Sequence, residues 1–237
     1  MRDNFIKKIL IENLNNDTYF SKIEGLNKSQ LLSFDRPITF FTGENGTGKS
    51  TLVEAIAVKM GFNAEGGSKN FNFSTQETHS ELHNHLKIIR SARRATDGFF
   101  YRAESFYNAI SYAEEIFDNP TDVKYGHQQS HGESFLNLVT RRFKGNGLYI
   151  LDEPESALSL QRQLSLLVAI NDLIKDGSQF IIATHSPILL AMPDSQIISL
   201  DPDTPLEITY EESKPFEIIN LFLNNRESML SKMLNND

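Results

Sequence analysis

Ten consecutive residues, Thr42-Gly43-Glu44-Asn45-Gly46-Thr47-Gly48-Lys49-Ser50-Thr51, hold the clearest chemistry in the sequence. They satisfy the phosphate-binding pattern G-x-x-x-x-G-K-[ST], with Gly43, Gly48, Lys49 and Ser50 in its fixed places. Glycine at two of these places lets the backbone turn tightly, so that successive N–H groups converge on phosphate oxygens. The lysine then reaches the β- and γ-phosphates, and the hydroxyl after it can ligate Mg²⁺. Residues Gly43 to Thr51 are therefore candidate nucleotide contacts, and Ser50 is also a candidate metal ligand. A second signal is Leu148-Tyr149-Ile150-Leu151-Asp152-Glu153, an apolar run that ends in two acids. An acid closing a buried strand can help to hold Mg²⁺, which makes Asp152 a nucleotide and metal candidate. Glu153 comes next and can orient or deprotonate an attacking water.

These residues need a scaffold, and the flanking pattern supplies one. Ile38-Thr39-Phe40-Phe41 reads as a buried strand running into the loop, and Leu52, Ile56 and Met60 recur at helical spacing after it. That helix would aim its positive end at phosphate. Earlier, Phe5 to Ile11 predicts a strand, with a polar turn at Asn13 to Asp17 after it. Tyr19 and Phe20 have two roles open to them, stacking on a base or packing beside the first strands, and packing is preferred. Gly61 to Ser68 reads as a loop. Leu86 to Arg90 and Gly98 to Arg102 predict a solvated hairpin around a polar turn. It gathers Lys87, Arg90, Arg93, Arg94 and Arg102 against Asp97, with an anion or nucleic-acid contact as the alternative reading.

Further along, Ser105 to Phe117 predicts a helix that Asn119-Pro120 ends, and Phe135, Leu138, Val139 and Arg142 predict another. Leu160, Leu164, Leu167 and Ile174 mark the apolar members of an amphipathic helix. Gln179 to Ala183 is a buried strand running into Thr184-His185-Ser186-Pro187. Ile197 to Leu200 and Leu206 to Tyr210 predict a hairpin; the remainder reads as helix, with Ile218, Ile219, Leu221 and Phe222 as its apolar residues. Strands alternating with helices imply a largely parallel α/β sheet.

The 237 residues suit one large domain, or one domain with a lobe inserted in it. The net charge is −8, and the stretch from Asp201 onward holds eight acids against Lys214, Arg226 and Lys232. Such a balance disfavours strong non-specific binding to nucleic acid, though a local basic patch could still bind. There is no cysteine, hence no disulfide framework and no cysteine-ligated zinc. The first residues lack the apolar core of a signal peptide, and no apolar run nears the roughly 20 residues a bilayer requires. The expectation is a cytoplasmic protein without membrane insertion.

Taken together the motifs resemble the ABC-type ATPases of the branch that includes the RecF- and SMC-like proteins. They are most similar to compact, stand-alone predicted AAA-family ATPases. The resemblance runs through most of the chain, in the family's order. It comprises the phosphate loop, Gln129-Ser130-His131-Gly132-Glu133-Ser134, Asp152-Glu153, Glu155-Ser156-Ala157-Leu158-Ser159 and Ala183-Thr184-His185-Ser186. It implies a P-loop fold of ABC-ATPase type over residues 1–237, with a mainly parallel sheet, an antiparallel β portion and a small helical lobe at roughly 104–144.

It also implies roles. Ser130, His131, Gly132 and Glu133 stand where the signature segment contacts the γ-phosphate held by a second copy. The family's commoner form is Leu-Ser-Gly-Gly-Gln, so His131 and Glu133 depart from it, and Glu133 has helix capping as its other reading. Ser156 to Ser159 match the loop that communicates across a dimer, and His185 matches the γ-phosphate sensor, which makes it catalytic beside Glu153. The family's glutamine after a strand falls either on Gln76 or at Arg102 and Glu104, with Glu104 a further metal candidate. The implied activity is Mg²⁺-dependent ATP hydrolysis by a homodimer that closes on two ATP molecules, acting on an effector that the residues do not name. A DNA-repair or genome-defence ATPase of the RecF/SMC type is the alternative, although the about twenty-five residues between Ser105 and Ser130 are too few for a coiled-coil arm. The engine of a membrane transporter fits less well. A small GTPase lacks support, since no Asn-Lys-x-Asp motif occurs.

Overall fold

The structure, a computed structural model, describes residues 3–12, 19–68, 80–103 and 131–234. Two sheets organise it. The larger has the order β5-β6-β7-β3-β8-β9, built from β3 (Ile38–Thr42), β5 (Asp97–Arg102), β6 (Gly147–Asp152), β7 (Gln179–Ala183), β8 (Gln196–Ser199) and β9 (Glu207–Ile208). Every pairing from β5 to β8 is parallel, and only β9 runs antiparallel, forming the expected hairpin with β8. Strands β3, β6, β7 and β8 are buried at every residue, as parallel strands covered on both faces must be. The smaller sheet, β2-β1-β4, is antiparallel and uses β1 (Ile6–Ile11), β2 (Leu31–Ser33) and β4 (Leu86–Arg90).

The two sheets enclose helix α2 (Lys49–Lys59), which follows the phosphate loop and packs on β4, β6 and β7. The sequence reads it as a helix with a single apolar face, at Leu52, Ile56 and Met60. The structure buries those three and also Lys49, Val53, Glu54, Ala55 and Ala57. A helix between two sheets has little solvent side, which explains its small residues and its run of apolar ones. The other face of the large sheet carries α3 (His131–Arg142), α4 (Leu160–Lys175) and the single turn α5 (Pro187–Leu190), around Phe135, Leu166, Ile170, Phe180 and Leu189. Chain order is completed by α1 (Glu24–Lys28) before β2, and by α6 (Lys214–Asn224) and α7 (Arg226–Leu234) at the end, which bury none of their residues.

Two expectations are corrected, the hairpin and the apolar face of α4, while the packing preferred for Phe20 is met. Strands β4 and β5 form no hairpin, because β4 pairs with β1 in the small sheet and β5 with β6 in the large one. Four of the five basic residues gathered there are spent on the protein itself. Lys87 meets Glu12, Arg90 donates to Lys59 O, and Arg102 pairs with Glu54. Arg93 donates to Asp3 O, Asn146 Oδ1 and Gly177 O and lies over the Phe5 ring. Phe20 is buried against His85, so base stacking is not its role. In α4 the buried positions are Gln163, Leu166 and Ile170, whereas Leu160 and Leu164 face outward. Buried Gln163 is satisfied by Ser186 Oγ at 2.5 Å and Leu158 O at 3.2 Å, which removes the cost of its amide. Among the described residues, no helix is long and apolar enough to cross a membrane.

Candidate nucleotide site

The carboxyl ends of five neighbouring strands meet along one edge of the large sheet. Register places Arg102 beside Asp152, Asp152 beside Ala183, Ala183 beside Phe41, and Thr42 beside Ser199. Ligands of open α/β sheets bind along this edge. The phosphate loop leaves β3 there and turns through positive φ at Gly43 (143°), Gly46 (84°) and Gly48 (95°). At Gly48 a side chain is excluded twice over, since a Cβ would lie 2.9 Å from Ile23 Cγ2 and 3.0 Å from Leu26 Cγ. Those two residues, with α1, buttress the loop from below. Lys49 is 4 % exposed and donates to Gly43 O and Glu44 O, both at 2.9 Å. Burial pushes its pKa below the ordinary lysine value, and the charges of Glu153, Asp201, Asp152 and Glu44 pull it back up.

One turn into the site, Ser50 Oγ donates to Asp152 Oδ1 at 3.0 Å, which joins the two metal candidates. Glu153 adopts a left-handed backbone (φ 49°, ψ 53°) directly after β6. For a residue other than glycine this costs on the order of 1 kcal/mol, and such strain gathers at functional sites. The turn is locked by Glu153 N–H to Ala183 O at 3.0 Å and Ser156 Oγ to Glu153 O at 2.9 Å. It presents the carboxylate to His185, whose Nε2 lies 3.8 Å from Glu153 Oε1. Burial and then Lys49 hold the His185 pKa below its ordinary value, against Glu153, Glu44 and Asp201, so the contact at neutral pH is not an ion pair. Its Nε2 is buried without a hydrogen-bond partner. An orphaned ring nitrogen facing the mouth of a phosphate loop suits a ligand that brings its own oxygen.

A model of the AAA domain family matches residues 14–184, well over half of the chain. The chain belongs to the AAA domain family. Over 79 residues this AAA domain is 38 % identical to a Haemophilus influenzae protein described as an uncharacterized ABC transporter ATP-binding protein. That stretch covers 33 % of this chain and 30 % of the relative, so the match spans under a third of the relative's length. Among solved structures, the SMC head domain from Thermotoga maritima overlaps at 15 % identity, covering 82 % of this chain and 94 % of that one, with a TM-score of 0.42. A Clostridium perfringens protein, part of the ABC transporter complex cbiONQ, overlaps at 14 % identity over 95 % and 98 % of the two chains, with a TM-score of 0.45.

The structure places Gly43 to Thr51, Asp152, Glu153 and His185 along the same edge of the large sheet. Helix α3 begins at His131 and includes Gly132 and Glu133, whereas Ser130, Glu104 and Gln76 lie outside the described residues. Arg102, at the end of β5, donates to Glu54 Oε2 of α2 at 2.7 Å. Among the described residues no group of three or more His, Cys, Asp or Glu is set to hold a metal alone. Ser50 and Asp152 still fit Mg²⁺, which keeps waters and takes few protein ligands where phosphate oxygens complete its shell. Two residues have contacts here that the sequence assigns to neither of them. Glu155 Oε1 accepts the His185 N–H at 2.7 Å, while burial pushes its pKa up. Asp201 Oδ1 accepts the Glu44 N–H at 2.7 Å. The signal for Asp201 was present, because Ile197-Ile198-Ser199-Leu200 running into an acid repeats the pattern that ends in Asp152.

Proposed function

We propose that this AAA domain is a switch that binds and hydrolyses ATP with Mg²⁺, two copies closing on two nucleotides to act on an effector. The observation that carries this reading is the meeting of Lys49, the Ser50–Asp152 pair, Glu153 and the orphaned His185 Nε2 at one sheet edge. Glycine-lined N–H groups and Lys49 hold the phosphates, and the start of α2 adds its dipole. Ser50 and Asp152 hold Mg²⁺, which when bound offsets the charge that builds on the phosphate oxygens. Glu153 takes the proton of the attacking water, and neutral His185 hydrogen-bonds the terminal phosphate. Ser130, His131, Gly132 and Glu133 of a second copy complete each site, and Ser156 to Ser159 lie beside that seam. Residues 1–237 act as one ABC-type ATPase domain, with 104–144 as its helical lobe, and the absence of cysteine suits the cytoplasm.

The test is Glu153→Gln, which keeps the shape of the side chain and removes the base. ATP turnover falls by about 10²-fold or more, and a dimer accumulates with ATP but not with ADP, read by sedimentation. Turnover at the wild-type rate removes Glu153 from the chemistry, and a monomer at every nucleotide removes the sandwich.

A further inference from the structure

Asp201 stands two residues beyond β8, the strand beside β3, so its carboxylate abuts the start of the phosphate loop. Its side chain is 4 % exposed. One oxygen accepts the Glu44 N–H at 2.7 Å; the other lies 3.4 Å from Nζ of Lys214, the first residue of α6. Lys214 is also 3.9 Å from Glu44 Oε1. The Asp201 backbone is fixed as well, since Lys28 Nζ donates to its carbonyl at 2.6 Å and also to Thr204 O. Helix α6 is set at this spot by Ser213, whose Oγ donates to Tyr210 O at 2.6 Å, and by the Tyr210 and Phe216 rings with centroids 4.6 Å apart.

A buried carboxylate beside a phosphate loop is a physical liability, because polyphosphate brings several negative charges to the same place. A neutral acceptor would hold the Glu44 N–H without that repulsion. The carboxylate is tolerable when a cation compensates it; Lys28 adds its charge from the backbone side, where it bonds the Asp201 carbonyl, and the lysine that pairs with the carboxylate itself, Lys214, comes from the C-terminal helix rather than from the loop. Lys49 feels the Asp201 charge, but its hydrogen bonds go to the loop carbonyls Gly43 O and Glu44 O rather than to that carboxylate.

We infer that Asp201 is a positioning residue, holding the entrance of the phosphate loop through the Glu44 amide, and that Lys214 is its counter-charge. Helix α6 thereby becomes part of the nucleotide site. The inference rests on the reading of Gly43 to Thr51 as an ATP loop, and it adds a C-terminal component that the loop motif does not contain. Loss of Lys214 leaves Asp201 to repel ATP; neutralising Asp201 in the same molecule removes the repulsion while Asn Oδ1 still accepts from Glu44.

The experiment is calorimetric titration of ATP into the full chain and its Lys214→Ala, Lys214→Arg, Asp201→Asn and Lys214→Ala/Asp201→Asn variants, with Lys49→Ala as the control for the loop itself. Lys214→Ala weakens ATP binding about tenfold, and adding Asp201→Asn restores it to within about threefold of wild type, a coupling of ordinary size for touching charges. In turnover assays Lys214→Ala raises KM by a larger factor than it lowers kcat, and Lys214→Arg restores KM. A Lys214→Ala protein that binds ATP like wild type overturns the inference. So does a double variant as weak as Lys214→Ala alone, which would make Lys214 a direct phosphate ligand or a mere anchor of α6. Lys214 is 41 % exposed, so its variants fold, and they carry the test even where the Asp201 change lowers the melting temperature. A wild-type chain that takes up no ATP, like Lys49→Ala, overturns the functional reading itself and this one with it.

Discussion

Arg102→Met tests the internal clamp on the helix that carries Lys49 and Ser50. Glu54 lies one turn after Ser50 in α2; its side chain is 7 % exposed and meets the Arg102 guanidinium at 2.7 Å. Its other oxygen accepts the Ser80 N–H at 3.1 Å. Removing the arginine strands a buried carboxylate with one backbone donor. Breaking a fully buried pair costs roughly 3–5 kcal/mol, and the guanidinium here is 24 % exposed, so screening puts the loss at the lower end, about 3 kcal/mol. For a chain of this size that lowers the melting temperature by roughly 6–12 °C. Removing both charges in Glu54→Gln/Arg102→Met leaves no stranded ion and costs less than Arg102→Met alone. Urea unfolding of the two single variants and the double variant measures the coupling. Arg102→Met within 0.5 kcal/mol of wild type, or single effects that simply add, would refute the claim that this pair is a buried electrostatic unit.

Lys49→Ala removes ATP binding, because the lysine is the buried cation of the loop; calorimetry showing wild-type affinity would remove the foundation of the ATPase reading. For His185, burial lowers the folded pKa below the unfolded value near 6.5. The unfolded chain therefore takes up a proton first as pH falls, and stability contributed by the neutral ring is present above that value. It is lost as pH drops from 6.5 toward the lower folded pKa. His185→Gln flattens that part of the stability profile and slows turnover, and an unchanged acid limb in thermal melts between pH 7 and 5 would count against the assignment.

Much of the site could be read from the sequence because it is written locally. The phosphate loop needs glycine at fixed offsets, and β6 announces Asp152 by an unbroken apolar run. What could not be read depends on contacts remote along the chain. Strands β4 and β5 look like a hairpin because their separation permits one, yet β1 and β6 compete for them and win. The apolar members of α4 lie around more than one face, so spacing alone could not tell Leu160 and Leu164 from Leu166 and Ile170. The buried stripe is fixed instead by Gln163, a polar residue made welcome by Ser186 from the far end of β7. Asp201 was counted as one more charge in an acidic tail: the apolar run before it marks a strand end, but only the pairing of β8 with β3 delivers that end to the loop. Glu155 hid in the same way, because its partner, the His185 amide, belongs to another strand end.

Helix α2 is wedged between two sheets, so the phosphate loop has no soft backing. A displacement of the helix would press on β4 from one side and on β6 and β7 from the other, because close-packed interiors transmit strain. If the proposed nucleotide occupies the loop, both layers are positioned to feel it through the one helix they share.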